Sequence, residues 1–250
     1  MFDYKLFHKK LKTEFIGHNF KYFKSTDSTN NKAWNLLESS KLNGAVILTD
    51  KQTKGRGRQG NLWLSSNEKS LTFSIILSVK KSDYSKKGIL ALIAGLASIK
   101  GIYKTTNIQC GLKWPNDIML SNKKLGGILI ESKGENTVIG IGINTNEAHG
   151  DLKKAIKNQA ISLNIYNEKL VEIECLLAHI LNQFESLYKK NNEEIINKWL
   201  DSCIHINQEI KFHQNQKMIK AIFKGLDNAG QGIISIKNQD LTIASGVVEL

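Results

Sequence analysis

The chain of 250 residues is long enough for one large domain, or for one medium and one small domain, and its formal net charge is +12. Its lysines are scattered through every segment rather than gathered on one basic face, so the charge does not predict a nucleic-acid partner. No stretch approaches the roughly 18 apolar residues of a membrane helix, and residues 1–10 lack a signal-peptide core, so we expect a soluble protein without membrane contact.

The first predicted elements are two helices and a buried strand. The first two dozen residues mix aromatic, basic and polar side chains, which is typical of a short amphipathic helix. A second helix begins near Asp27 to Thr29, where N-cap residue types precede apolar residues at helical spacing over residues 33–37. These polar side chains either only cap the helix or hold the polar head of a ligand. Residues 44–49 predict a buried strand.

Residues 51–63, here called the glycine loop, contain three glycines, two arginines and a tryptophan between two predicted strands. Glycine lets the backbone approach a ligand with free amide N–H groups, and Arg56 and Arg58 supply planar charges suited to phosphate or carboxylate. The loop also spells a dinucleotide fingerprint at residues 55–60, but neither the required helix nor the later acidic residue follows. We interpret the glycine loop as an anion-binding loop, with a plain surface turn as the alternative.

The middle of the chain predicts a strand at residues 71–79, a core helix at 85–103 and a further strand that Pro115 interrupts. Lys113 lies at the end of this otherwise apolar strand. A lysine directed inward needs an anionic partner, because burying an unpaired ammonium is costly. That partner is either a ligand or a nearby carboxylate such as Asp117.

Residues 124–131 and 136–144 predict an antiparallel pair of strands joined at residues 133–135. Four glycines within these strands indicate the close approach of a ligand or of crossing helices, since glycine otherwise weakens a strand. They are Gly126, Gly127, Gly140 and Gly142.

The last hundred residues change from helical to β character. A polar loop at residues 147–158 precedes two helices at 168–190 and 193–203. Short β-like runs then predict a small barrel of about 45 residues that docks on the first domain. These runs are residues 209–212, 217–223, 232–236 and 241–243, with hairpin signals at 214–216, 227–230 and 237–240. The three cysteines, Cys110, Cys175 and Cys203, have no metal spacing and suit a reducing cytoplasm.

Five segments resemble the motifs of biotin protein ligase, in the order and spacing of that family. They are Asp27-Ser-Thr-Asn30, Gly55-Arg-Gly-Arg-Gln-Gly-Asn-Leu-Trp63, Lys113-Trp-Pro-Asn-Asp117, Lys124-Leu-Gly-Gly-Ile-Leu-Ile-Glu131 and Gly140-Ile-Gly-Ile-Asn144. Residues 245–250 are similar to the end of the family's C-terminal cap. Asn61 is a departure, because many members have a basic residue there, and it bears on how the glycine loop closes.

The resemblance implies an α/β fold with a mixed sheet and flanking helices, like that of class II aminoacyl-tRNA synthetases, over residues 1–205. It implies a small C-terminal SH3-like β-barrel over residues 206–250, and no N-terminal DNA-binding domain. The implied reaction joins biotin to ATP as biotinyl-5′-AMP, with Mg²⁺ shared by the triphosphate. Biotin then passes to a lysine of a biotin carboxyl carrier protein domain of a carboxylase. A homodimer is compatible with the resemblance.

The resemblance also implies roles for individual residues. Charge stabilisation during catalysis is implied for Lys113, Arg56 and Arg58. Biotin binding is implied for Ser28, Thr29, Asn30, Gln52, Arg56, Gly57, Arg58, Lys113 and Gly126. ATP or adenylate binding is implied for Arg56, Arg58, Trp63, Lys113, Asn116 and Asn144, and no side chain is implied as a metal ligand. Two other readings stay open: a lipoate ligase or acyl transferase with this fold, and a basic binding module without activity.

Overall fold

The computed structural model describes residues 2–38, 42–152, 159–214 and 217–249. Its helices and strands alternate along the first part of the chain, and strands alone make up the last part. In chain order they are α1 (Tyr4–Lys10), β1 (Phe20–Phe23), α2 (Thr29–Leu37), β2 (Val46–Thr49), β3 (Ser70–Ser78), α3 (Ser85–Thr106), β4 (Gly111–Lys113), β5 (Asp117–Leu120), β6 (Lys123–Lys133), β7 (Asn136–Asn144), α4 (Leu163–Asn167), α5 (Ile173–Tyr188), α6 (Asn192–Asp201), β8 (Glu209–Gln214), β9 (Lys217–Leu226), β10 (Gly232–Ile236), β11 (Gln239–Ile243) and β12 (Val247–Glu249).

A seven-stranded sheet with the order β1-β2-β3-β7-β6-β5-β4 forms the larger part of the fold. Strands β1 and β2 run parallel, and the other neighbours run antiparallel. One face packs against the core helices α3 and α5, because alternate residues of each strand are apolar and point to that side. The predicted mixed sheet with flanking helices is confirmed.

Helix α3 is the central helix of this core. Its length and its mean hydropathy of 1.3 would allow it to cross a membrane, which the sequence analysis did not expect. However, 67% of its most apolar stretch is buried inside the protein. Its apolar surface is therefore used in packing against the sheet and α5.

The second sheet has the order β11-β10-β9-β8-β12, and its neighbouring strands are antiparallel. It confirms the predicted C-terminal β structure. The sheet packs on the β4 end of the larger sheet, where Trp114 is 1% exposed and its ring lies 6.1 Å from that of Phe223. The predicted domain boundary at residue 206 stays a prediction, because the two parts share one apolar core.

The start of one predicted helix differs from the structure, and two strands lie outside the predicted elements. The helix predicted at residues 168–190 begins only at Ile173, because Glu168 has a φ of 53° and ends α4. Leu170, which lies before the start of α5, is 77% exposed. The short strands β1 and β12 were not predicted. Residues 153–158 of the predicted polar loop and 215–216 of the predicted hairpin lie outside the described residues.

Candidate active site

A single row of residues crosses the larger sheet from β2 to β4 and forms the floor of the site. Direct Cα partners in successive strands are Thr49, Thr72, Gly142, Gly127, Asp117 and Lys113, here called the polar row. Direct partners point to the same face of a sheet. The row therefore has hydroxyls at one end, two glycines in the middle and a charged pair at the other end.

The gap above Gly127 and Gly142, here called the glycine trough, is long enough for an elongated small molecule. Neighbouring strands lie about 4.8 Å apart, so the three strand intervals from Thr72 to Asp117 span about 14 Å. A cavity of about 240 Å³ lies over this part of the row. Its walls come from the start of α2, the glycine loop, the β4–β5 hairpin and the segment leading into β12.

The neutral end of the cavity is a buried hydrogen-bonded network. Thr29 donates to Gln52 Oε1 from its backbone N–H at 2.7 Å and from its hydroxyl at 3.1 Å. The Ser74 hydroxyl lies 2.7 Å from both Thr29 Oγ1 and Asn30 Oδ1. Ser28 is the N-cap of α2, but its side chain makes no capping hydrogen bond. Its hydroxyl therefore lines the cavity without serving the helix.

The opposite end of the cavity carries an excess of positive charge. Lys113 Nζ lies 3.4 Å from Asp117 Oδ2, and Lys124 Nζ lies 2.6 Å from Asp117 Oδ1. Lys113 Nζ also donates to the carbonyl oxygen of Val248 in β12 at 3.3 Å. Lys113 therefore pairs with Asp117 and also lines the cavity, so the two interpretations of this lysine are compatible. One carboxylate shared by two ammonium groups leaves charge available for an anion.

The glycine loop lies over the sheet between β2 and β3, as predicted, and two arginines fasten it. Arg56 Nη2 donates to Glu131 Oε2 at 2.9 Å, and Arg58 Nη1 donates to Asn116 Oδ1 at 3.2 Å. Burial lowers the pKa of Arg58, and the charge of Asp117 opposes that shift. A guanidinium still stays charged at neutral pH. Arg58 therefore adds a third cation to the charged end.

Close contacts with Trp63 and with Asn30 explain why two of the strand glycines are needed. A Cβ atom on Gly142 would lie 2.4 Å from Trp63 Cε2, so a side chain there would collide with the indole. A Cβ atom on Gly140 would lie 2.4 Å from Asn30 Oδ1 in α2. Gly142 therefore admits a loop residue and Gly140 admits the start of a helix. The indole and a ligand cannot both fill the glycine trough above Gly142.

A family model described as the biotin/lipoate A/B protein ligase family matches residues 22–146, which include the polar row and the glycine loop. The chain belongs to this family. The match covers α2, strands β2 to β7, and all of the cavity lining except Gly246, Val247 and Val248.

Relatives within this family are similar over most of the chain. The bifunctional ligase/repressor BirA of Bacillus subtilis is 35% identical over 184 residues, or 72% of this chain and 56% of that protein. The chain thus spans about half the length of such curated relatives. The biotin–[acetyl-CoA-carboxylase] ligase of Mycobacterium tuberculosis is 23% identical over 83% of this chain and 79% of its own length. The biotin protein ligase of Aquifex aeolicus, solved with biotin and ATP, has 29% identity and a TM-score of 0.80, covering 93% of this chain and 98% of that one.

The cavity brings together most of the site residues predicted by the family resemblance. These are Ser28, Thr29, Asn30, Gln52, Arg56, Gly57, Arg58, Trp63, Lys113 and Asn116. Gly126 lies on the opposite face of β6, where a Cβ atom would lie 3.2 Å from Ile118 Cδ1 in the apolar core. Asn144 is 5% exposed and its side chain donates to the carbonyl of Ile161 at 3.1 Å. Neither residue lines the cavity, so their predicted contacts stay predictions.

The structure also adds lining residues that the sequence analysis did not assign to the site. The sequence analysis does not assign Thr72 to the site because the residue lies in a mainly apolar strand. The spacing of Thr72 and Ser74 nevertheless indicates one polar face of that strand. Lys124 begins one of the five segments that carry the family resemblance, but the resemblance implies no role for it. Gly246, Val247 and Val248 reach the cavity from the second sheet, and no local spacing reveals such a distant contact.

No group of three or more His, Cys, Asp or Glu side chains able to hold a metal ion occurs within the described ranges. Asp117 is the carboxylate of the cavity lining, and two lysines already neutralise it. Magnesium commonly binds through one or two carboxylates together with the phosphates of a nucleotide. These residues therefore do not form a metal site on their own.

Proposed function

We propose that the chain is an ATP-dependent biotin protein ligase. The observation that carries the proposal is the polarity of the glycine trough, which runs from a neutral hydrogen-bonding end to a cationic end. Biotin has a neutral ureido ring at one end and a carboxylate at the other. The identity to biotin protein ligases and to ligase/repressors in this family supports the same choice.

The first step joins two anions, and the cationic end lowers their repulsion. A carboxylate oxygen of biotin attacks the α-phosphorus of ATP, forming biotinyl-5′-AMP as the P–O bond to pyrophosphate breaks. Lys113, Lys124 and Arg58 are fixed near Asp117 before the reaction, so they stabilise the developing charge without reorganising. No side chain needs to act as a nucleophile, because positioning and charge account for the chemistry.

The second step transfers the acyl group to a protein. The uncharged ε-amine of an acceptor lysine attacks the biotinyl carbonyl carbon, AMP leaves, and the amine loses a proton. The mixed anhydride must be kept from water until then, and the glycine loop lies where it can cover it. Trp63 leaves the glycine trough for the ligand and then packs over it. The acceptor is a biotin carboxyl carrier protein domain.

The remaining partners follow from the same reaction. Mg²⁺ enters with the phosphates of ATP, since the described side chains form no metal site of their own. Trp63, Asn116 and Asn144 contact the adenylate. The enzyme works in the cytoplasm, where ATP and carboxylases are present, either as a monomer or as a homodimer.

Pyrophosphate release is the direct test. Purified protein is incubated with ATP, Mg²⁺ and either biotin or lipoic acid, and transfer to a carboxylase carrier domain is then measured by mass. We expect release and transfer with biotin only. Release with lipoic acid alone would identify a lipoate ligase, and no release with either acid, together with salt-sensitive nucleic-acid binding, would identify a basic binding module.

A further inference from the structure

Thr72 carries a buried hydroxyl that has no role in the reaction described above. The residue is 3% exposed, belongs to the polar row and lines the cavity. Its Oγ1 has no hydrogen-bond partner among the residues that the structure describes. Buried hydroxyls are nearly always paired, because leaving one unpaired costs free energy. The hydroxyl is therefore a candidate for pairing with a ligand.

The surroundings of Thr72 leave that hydroxyl facing the glycine trough. Ser74 lies two residues along β3 on the same face, and its hydroxyl is satisfied by Thr29 and Asn30. The direct partner of Thr72 in β7 is Gly142, which has no side chain to cover the hydroxyl. Trp63 Nε1, also buried and unpaired among the described residues, lies 2.8 Å from the place of a Cβ atom on Gly142. Two unpaired polar atoms thus lie at the glycine trough, which the Trp63 indole fills and must leave when a ligand binds.

We propose that the Thr72 hydroxyl binds the ureido group of biotin and helps the site to select biotin over lipoic acid. This inference rests on the proposed function. The carboxylate of the ligand belongs at the cationic end, three strands from Thr72, which leaves the ligand's opposite end beside the hydroxyl. A ureido group offers two N–H donors and one carbonyl acceptor, so a hydroxyl can pair with it in either direction.

Selection follows from what the competing acid lacks. The dithiolane ring of lipoic acid has no N–H or carbonyl group, so its binding would leave the Thr72 hydroxyl buried and unpaired. A site built to hydrogen-bond its substrate rejects an analogue that lacks the matching group. Thr72 thus adds a further contact to the neutral network of Thr29 and Gln52. This contact forms only with a ligand that carries a ureido group.

Isothermal titration with three acids tests the contact. Wild type, Thr72→Val and Thr72→Ser are titrated with biotin, desthiobiotin, which keeps the ureido group without the sulfur ring, and lipoic acid. Thr72→Val keeps the side-chain shape but removes the hydroxyl, so we expect roughly tenfold weaker binding of both ureido compounds. Binding of lipoic acid should stay the same or tighten, because Thr72→Val removes the hydroxyl that this acid leaves unpaired, and Thr72→Ser should bind like wild type.

Thr137→Val is the matched control, because Thr137 is equally buried in the same sheet but bonds to Ser132 away from the cavity. It should leave all three affinities unchanged. Biotin binding by Thr72→Val equal to wild type, or equal weakening of all three acids, would overturn the proposal. If Thr72→Val does not fold, Thr72→Ser and Thr72→Ala, which differ only in the hydroxyl, give the same comparison. A wild type that binds lipoic acid but not biotin would instead overturn the proposed function.

Discussion

The two faces of the larger sheet are built from alternate residues of the same strands, yet they differ in almost every property. In β3, Leu71, Phe73 and Ile75 face the core helices and are 0% exposed. Between them, Thr72 lines the cavity, and the Ser74 hydroxyl bonds to Thr29 at the start of α2. Strand β7 repeats the pattern, with isoleucines on the helix side and glycines on the cavity side.

This difference separates stability from ligand binding along one strand. Packing against α3 and α5 fills the helix-covered face, whereas the cavity face keeps glycines and hydroxyls that cost stability in an ordinary strand. The presence of these glycines and hydroxyls is explained if a bound ligand supplies the packing and hydrogen bonds that the strand itself lacks. Substitutions on the two faces should therefore separate into those that change unfolding and those that change activity.

The largest effect should come from Lys113→Ala on the cavity face. Removing the ammonium that Asp117 and the Val248 carbonyl hold in place should lower adenylate formation by roughly 10²- to 10³-fold, because pre-positioned charge is a major catalytic contribution. Pyrophosphate release measures the rate, and thermal unfolding should be little changed. Lys123→Ala, a neighbouring exposed lysine outside the cavity, is the control. Undiminished activity in Lys113→Ala would remove this lysine from the site.

Leu77→Ala tests the helix-covered face of β3. Leu77 is 1% exposed in the apolar core, so the cavity left by truncation should lower the free energy of unfolding by about 3 kcal/mol. Denaturant unfolding measures the loss, and Ser78→Ala at the exposed end of the strand should cost far less. Biotin affinity of the folded protein should stay near wild type. A large loss of affinity would show that the two faces are not independent.

The sequence predicted one of these faces better than the other. Periodic apolar residues predicted α3, β3 and the β6–β7 pair, because burial in a core requires only a repeating pattern. The cavity face depends on the register between strands, and a slip of one residue would turn every side chain of a strand to the other face. Gly126 and Gly127 are adjacent and identical in type, so the sequence does not show which of them faces the cavity. In the structure the β5–β6 pairing shifts in register after Ile118, and Gly127 lies opposite Asp117 on the cavity face. The contact from Lys113 to the Val248 carbonyl joins positions 135 residues apart, beyond the reach of any motif.

His205 has a buried, unpaired polar atom outside the cavity. It tests whether such an atom lowers the stability of the fold when no ligand can pair with it. It is 0% exposed, its ring lies 4.4 Å from that of Phe223, and its Nε2 has no partner among the described residues. Burial, and then the charge of Lys113, lower its pKa to about 4. Between about 6.5 and 4 the unfolded chain therefore binds more protons at this residue than the native protein does.

Stability should consequently fall as the pH drops through that window, with His205 contributing at most about 3 kcal/mol, since one pKa unit corresponds to about 1.4 kcal/mol. Denaturant unfolding of wild type and His205→Leu between pH 7 and 4 measures the contribution. The variant should lose less stability on acidification than wild type. Identical pH dependence in the two proteins would mean that another group is responsible.

The smallest of these effects concerns how the glycine loop is held over the cavity face. The Arg58 guanidinium joins the loop to Asn116 in the β4–β5 hairpin, and this contact links two walls of the cavity. A hydrogen bond from a charged donor contributes roughly 1.5–3 kcal/mol, so Arg58→Gly should release biotinyl-AMP to solvent at least about tenfold faster. Single-turnover measurement of free and bound adenylate separates this release from slower synthesis. Lys54→Gly adds the same backbone freedom to the loop without touching the cavity, so it distinguishes the lost contact from added flexibility. If both variants retain the adenylate as wild type does, the Arg58 contact does not hold the loop over the bound intermediate.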